Sequence, residues 1–162
     1  MLEEGMEALG AMVPVDDGRS WAGAWRALPL RVEQEDLVIM PEAACQANRE
    51  IVPRSAAVLL QSNRIVACAF SALAPGGRIA PHRHRHPYVT ASLCLADGGG
   101  SFIIAGGERR SYQPGEWIVF DYRALHEVVN SGDGIRLVVL LLLQNRLASE
   151  RRVPSGCVTS QI

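Results

Sequence analysis

From Arg64 onward the chain is cut into short runs of apolar and alternating residues by turn chemistry. The runs cover 64–73, 78–84, 88–96, 101–105, 109–113, 116–121, 125–130 and 135–143. Between them stand Pro75-Gly76-Gly77, Asp97 to Gly100, Gly106-Gly107, Pro114-Gly115 and Ser131 to Gly134. In GEWIVFDYRALHEVVN every second position is singled out through Trp117, Val119 and Asp121, and again through His126, Val128 and Asn130. A period of two is the mark of a strand. The longest apolar run, Leu137 to Leu143, has the length and Val/Leu content of a buried strand and falls far short of the roughly 20 residues that cross a bilayer. Short strands at this spacing predict a sandwich or closed barrel, because an all-β chain must pair or cover its edges.

The first third reads differently. Residues 1–20 show weak periodicity and are expected to form a loosely ordered lead. Trp21, Trp25, Leu28 and Leu30 supply apolar anchors ahead of a polar turn at Glu33 to Asp36. Pro41 then opens a predicted helix from about Glu42, with Ala43, Ala47 and Ile51 on one face and Pro53 as its stop. A second helical piece is expected over 55–61, with Ser55 as a cap. The chain thus predicts a mainly β fold with a short N-terminal helical segment: a lead over 1–20, then one β-barrel domain over 21–162 whose core is 64–143.

Composition narrows the function. At 162 residues, 48% apolar and net charge −1, the chain can bury a core unaided and has no overall pull toward nucleic acid or a membrane surface. All 16 basic residues are arginine. Without lysine, Schiff-base catalysis, a pyridoxal-phosphate lysine and a P-loop lysine are excluded. Cys45, Cys68, Cys94 and Cys157 stand far apart with no C-x-x-C, which predicts reduced packing residues. The opening MLEEGMEALG carries acidic residues where a secretory signal needs basic ones, so a cytoplasmic location is expected.

The four histidines are not scattered. His82, His84 and His86 follow Pro81 in PHRHRH, and His126 stands in ALHEVVN. Residues i and i+2 of a strand share a face, so His82 and His84 can meet His126 from a paired strand and form a metal site. The alternative is a solvated Arg/His-rich hairpin with one satisfied core histidine. Arg83 and Arg85 suit either an anionic substrate or the outer face of such a strand.

The ordered set FS-x-L-x-PG, PH, FD-x-x-x-x-HEV-x-N and an arginine ten residues past the second histidine covers about residues 64–143. It resembles the aspartyl/asparaginyl β-hydroxylase family of iron and 2-oxoglutarate dependent oxygenases. That resemblance implies a double-stranded β-helix, the jelly-roll or cupin-like barrel, with Fe(II) held by His82 and His126. It also implies Arg136 on the distal carboxylate of 2-oxoglutarate, assisted by Ser71. Two departures stand out. His84 takes the place where many such oxygenases have a carboxylate, and TASLCL replaces the usual metal-proximal Arg and His, leaving Thr90 and Ser92 near those positions.

The expected activity is hydroxylation of an unactivated C–H bond in a small molecule, such as a free or carrier-bound amino acid. Its requirements would be Fe(II), 2-oxoglutarate and O2, its metal ligands His82, His84 and His126, and its co-substrate contacts Arg136, Ser71 and Ser92. No nucleic-acid or membrane partner is expected, and a homodimer is compatible with the chain. Asp121 is a candidate acceptor orienting a ligand histidine, and Glu127 points to the opposite face as a structural residue. The spacing H-x-H followed by G-x5-D-x-R-x-x-H-x3-N also resembles the cupin superfamily, which implies a three-histidine metalloenzyme that does not use 2-oxoglutarate. A non-catalytic binding barrel is the third reading.

Overall fold

The computed structural model describes residues 1–21, 24–32 and 42–145. Ten strands are found among them: β1 Val13–Pro14, β2 Trp25–Val32, β3 Ile65–Leu73, β4 Arg78–His82, β5 Tyr88–Ala96, β6 Ser101–Ala105, β7 Glu108–Ser111, β8 Trp117–Asp121, β9 His126–Asn130 and β10 Arg136–Gln144. They form two antiparallel sheets, ordered β1-β2-β3-β10-β5-β8 and β4-β9-β6-β7. This is the jelly-roll that the family resemblance implied, within the sandwich-or-barrel class that the strand spacing predicted. The turn residues sit where left-handed backbone is needed: Gly76, Gly106, Gly107 and Gly115 all have positive φ.

The central strands of the larger sheet, β3, β10 and β5, are largely buried on both faces, which is why β3 and β10 read as unbroken apolar runs. Its outer face, including Leu28, Phe70, Leu137 and Val139, packs against Ala8, Met12, Val52 and Leu59 from the helical segments. Its inner face turns toward the smaller sheet, where Leu73, Cys94 and Val138 meet Ile79, Ile103 and Val128. The inner positions of β3 are small, Ala67, Ala69 and Ser71, so the barrel closes without filling its interior.

The helical segments differ from expectation at the N-terminus. Residues 2–7 form helix α1 (Leu2–Glu7), followed by a 3-10 turn over Ala8–Gly10, and this start of the expected lead is packed onto the core. Helix α2 (Glu42–Ile51) matches its predicted span, and Pro53 both ends it and begins α3 (Pro53–Leu59). Ser55 is not the cap of α3. The N-cap residue Val52 offers no side-chain acceptor, and the carboxylate of Glu4 takes that role from α1. It accepts hydrogen bonds from Arg54 N at 2.9 Å, Ser55 N at 2.8 Å and Ser55 Oγ at 2.5 Å. Helix N-termini carry unpaired N–H groups, and a carboxylate there is favoured by both hydrogen bonding and dipole. The missed signal is non-local, since the two segments lie far apart in sequence.

Strands β1 and β2 were not among the predicted runs; β2 pairs with β3 and carries the Trp25, Leu28 and Leu30 anchors. Cys45, Cys68 and Cys94 are buried and free as expected. Cys157, Pro41 and the expected turn at Glu33 to Asp36 lie outside the described residues. No helix among the described residues is long and apolar enough to cross a membrane.

Candidate metal centre

His82 ends β4, His126 begins β9, and the two residues are register partners across that antiparallel pair. Their rings lie 4.2 Å apart between centroids. His84 sits beyond the end of β4, but the extended alternation continues and brings it in: one ligating nitrogen from each of His82, His84 and His126 lies within 4.8 Å of the others. The spacing thus gathers the three histidines the sequence singled out. His86 is not part of the group; its ring stacks on Tyr88 with centroids 5.6 Å apart. Arg83 and Arg85 are exposed, on the outward side of the same segment.

The tautomers are set by the backbone. His82 Nδ1 is 2.8 Å from Ala80 O, and His126 Nδ1 is 2.8 Å from Ala124 O. Carbonyls only accept, so each Nδ1 carries the proton and each Nε2 keeps a free lone pair. Orientation of ligand imidazoles by such an outer bond is what a metal site requires. Asp121 does not serve this purpose. It receives Arg123 N at 2.9 Å and pairs with Arg123 Nη2 at 2.8 Å on the surface. Glu127 is structural, as expected from its face, and receives Arg78 Nε at 2.9 Å.

The surroundings favour the neutral form of all three imidazoles. Burial pushes His126 down to about 4 against the pull of its Ala124 bond. Burial, then the charges of His82 and His126, push His84 down to about 3, and burial lowers His82 as well. Neutral imidazoles gathered this closely could hold a metal ion. The donor set suits a divalent first-row metal.

The histidines line a cavity of about 440 Å³ that also contains Arg136, Ser71, Thr90 and Ser92. Arg136 opens β10 and is 2% exposed. Its guanidinium lies over the Tyr112 ring at 4.9 Å, and its Nε has no hydrogen-bond partner. Thr90 Oγ1 and Ser92 Oγ are likewise buried and unpaired. Ser71 Oγ accepts a hydrogen bond from Trp25 Nε1 at 3.0 Å, leaving its own proton to donate. Of its two neighbours, Ile135 is 42% exposed and Leu137 is fully buried, so burial begins with Arg136 itself and continues along β10.

Asn130 fixes the height of Arg136 in the barrel. It is fully buried and donates to Leu73 O and Gly134 O, both at 2.9 Å, while Ser101 Oγ donates to it at 2.9 Å. Leu73 is the register partner of Arg136. Arg136 therefore starts at the level of Asn130, four residues along β9 from His126, or about 13 Å at strand rise. The loops at that end demand glycine: a Cβ at Gly132 would lie 1.7 Å from Gly99 O.

Sequence reasoning missed Tyr122, whose ring lies against His84, and Arg19, which lines the cavity from the expected lead. The first lacked a periodic signal because it follows β8 in a turn.

A profile of the family described as aspartyl/asparaginyl beta-hydroxylase matches residues 4–145. The chain belongs to this family. The match reaches well upstream of the segment that carried the resemblance and takes in α1 from Glu4 onward and the Arg19 segment. Among solved structures, a predicted oxalate decarboxylase from Thermotoga maritima is similar, with 12% identity and a TM-score of 0.53, covering 83% of this chain and 92% of its own. The cupin domain of an XRE family transcriptional regulator from Enterobacter cloacae has 18% identity and a TM-score of 0.44, covering 49% of this chain and 82% of its own. The first of these places the hydroxylase-family chain on a cupin-type barrel and speaks to fold alone. No curated protein sequence matches the chain.

Proposed function

We propose that this member of the β-hydroxylase family is an Fe(II)- and 2-oxoglutarate-dependent oxygenase that hydroxylates an unactivated C–H bond of a small molecule. His82, His84 and His126 would hold the metal. Bound together, iron and 2-oxoglutarate supply O2 chemistry that side chains lack: one oxygen atom goes to the substrate, and the keto acid loses CO2 to become succinate. The chain's own part is to bind, orient and exclude water.

The observation that carries the reading is Arg136. A guanidinium taken out of water without an anion is costly, so a buried arginine calls for an anionic partner. Among the described residues Nε has no hydrogen-bond partner, and the cavity that Arg136 lines has room for an anion. A dicarboxylic keto acid fits: its distal carboxylate on Arg136 and Ser71, its other end toward the histidines, and the Thr90 and Ser92 hydroxyls beside it. Charge-assisted bonds of this kind contribute on the order of 1.5 to 3 kcal/mol each.

One observation favours a second reading. His84 occupies the place of a carboxylate ligand and converges with the other two imidazoles, which suits a three-histidine cupin metalloenzyme that uses no keto acid. Calorimetry on the Fe(II)-loaded protein under argon separates the two. The oxygenase reading expects 2-oxoglutarate to bind, Arg136→Ala to weaken it by about ten- to a hundred-fold, and Ser71→Ala to weaken it less. Admission of air should then release succinate. Absence of 2-oxoglutarate binding, or an Arg136→Ala variant that binds as well as wild type, hands the site to the second reading.

A further inference from the structure

Among the described residues each sheet ends in two edge strands, and three of these four edges are blunted. Strand β1 is two residues long and ends in Pro14. Strand β4 contains Pro81, and its edge is covered by the chain ahead of β2, where Ala80 N donates to Arg19 O at 2.8 Å. Strand β7 is exposed throughout and carries Glu108, Arg109 and Arg110, charges that disfavour pairing with another chain. Strand β8 has none of these devices. It holds no proline and no basic side chain, and its one charge, Asp121, is paired with Arg123 of the same chain. Trp117 and Val119 on its outer face are 49% and 57% exposed.

The hydrogen-bonding direction of β8 follows from its ends. Cys94 N donates to Glu116 O at 3.0 Å and Tyr122 N donates to Tyr88 O at 3.0 Å, so the even-numbered residues turn their backbone groups toward β5. Trp117 and Val119 turn theirs the other way, and no strand pairs with that side among the described residues. Toward the sheet centre, Trp117 is the register partner of Leu93 and Val119 of Ala91. Both partners belong to the apolar outer face, so the exposed side chains carry that face out to the sheet edge.

We propose that β8 is a dimerisation edge, at which two copies of this chain pair antiparallel about a two-fold axis at Ile118 and join their larger sheets into one. That axis sets Trp117 of each copy opposite Val119 of the other, on the same face. An aromatic ring beside a β-branched side chain is a favourable cross-strand pair. Both residues turn their N–H and C=O groups to the meeting side, as a hydrogen-bonded pair needs. Charge selects the same arrangement. Antiparallel pairing sets Glu116 opposite Phe120 and Asp121 opposite Gly115 of the other copy, whereas in-register parallel pairing would set Glu116 against Glu116 and Asp121 against Asp121. The edge is therefore complementary to itself, which is what an isologous interface requires.

Sedimentation equilibrium of the full chain across the micromolar range tests this. Wild type should show a reversible monomer–dimer exchange. Trp117→Lys and Val119→Asp should each weaken the dimer about tenfold or more, as loss of a central interface anchor does. An equimolar mixture of the two variants should recover it, because one of the two symmetric contacts then pairs Lys with Asp while the other keeps Trp with Val. Arg109→Ala, on the guarded β7 edge, should leave the dimer unchanged. Circular dichroism spectra that match wild type show that each variant keeps its fold. The proposal is overturned if wild type is monomeric throughout, if either β8 variant dimerises as tightly as wild type, if the mixture is as monomeric as its components, or if Arg109→Ala weakens the dimer as much as they do.

Discussion

The imidazole of His84 lies flat on the phenol ring of Tyr122, with centroids 3.8 Å apart and planes within 4° of parallel. His82 and His126 are oriented by backbone carbonyls, whereas the contact that orients His84 is this ring face. Tyr122 itself is buried at 4% exposure and packs with Val66, Ala67 and Leu142. A buried aromatic platform thus stands behind the one histidine of the three that lies beyond the strand end.

Tyr122→Leu should therefore loosen the third ligand without removing the first two. Support of this kind is worth about ten- to a hundred-fold in metal affinity. Co(II) titration followed by absorption should show weaker binding and a spectrum shifted toward two imidazoles, while Tyr122→Phe keeps the wild-type spectrum. An unchanged affinity in the leucine variant would show that the ring does not position His84.

His82→Ala and His126→Ala should each abolish stoichiometric Co(II) binding, since the two face each other across β4 and β9. His86→Ala should retain it, because that ring is turned toward Tyr88. Equal loss in all three would point to a flexible histidine patch instead of a defined centre.

Arg136 should cost stability when its ligand is absent. Replacing buried ionic groups by apolar ones of similar volume is often neutral or stabilising, by about 1 to 4 kcal/mol. Arg136→Met is expected to melt at the same or a higher temperature than wild type without 2-oxoglutarate, and to lose the stabilisation that wild type gains on adding it. A marked fall in melting temperature would mean that the guanidinium is satisfied within the protein.

Glu4 predicts the acid side of the stability profile. Burial alone would raise its carboxyl, but the bonds from Ser55 and Arg54 outweigh it and hold Glu4 at about 2 against an ordinary 4.5. A depressed carboxyl stabilises the fold above its unfolded value, and that contribution is lost as pH falls from about 4.5 through 2. Glu4→Gln should lower stability at pH 7 by about 1 to 3 kcal/mol. It should also flatten the decline between neutral and acid pH in denaturant unfolding. A variant that tracks wild type across that range would remove Glu4 from the acid response.

Much of the fold was legible because it depends on local rules. Turn glycines and prolines bound the strands, so the predicted runs over 88–96 and 101–105 coincide with β5 and β6, and the others differ at their ends by a residue or two. The period-two side-chain rule brought His82 and His84 to one face, and the helix boundaries at Glu42 and Pro53 follow from proline's missing donor and fixed φ. Strand β2 escaped because its alternation is weak and its Pro29 argues against a strand; pairing with β3 overrides both.

The sequence by itself determined the succession of strands, the grouping of the histidines that could hold a metal and the placement of Arg136 on a buried strand, since each is encoded in spacing and residue type over a few positions. Only the tertiary structure decided that Ala80 and Ala124 carbonyls set the tautomers, that Tyr122 backs His84, that Glu4 caps a helix remote in sequence, and that Arg19 lines the cavity. Apart from the two histidine–carbonyl bonds, which each span two residues, these relations join elements distant along the chain, where neither periodicity nor propensity carries information. They exist because closing two sheets into a barrel under a layer of helices leaves buried polar groups that must find partners wherever the fold brings them.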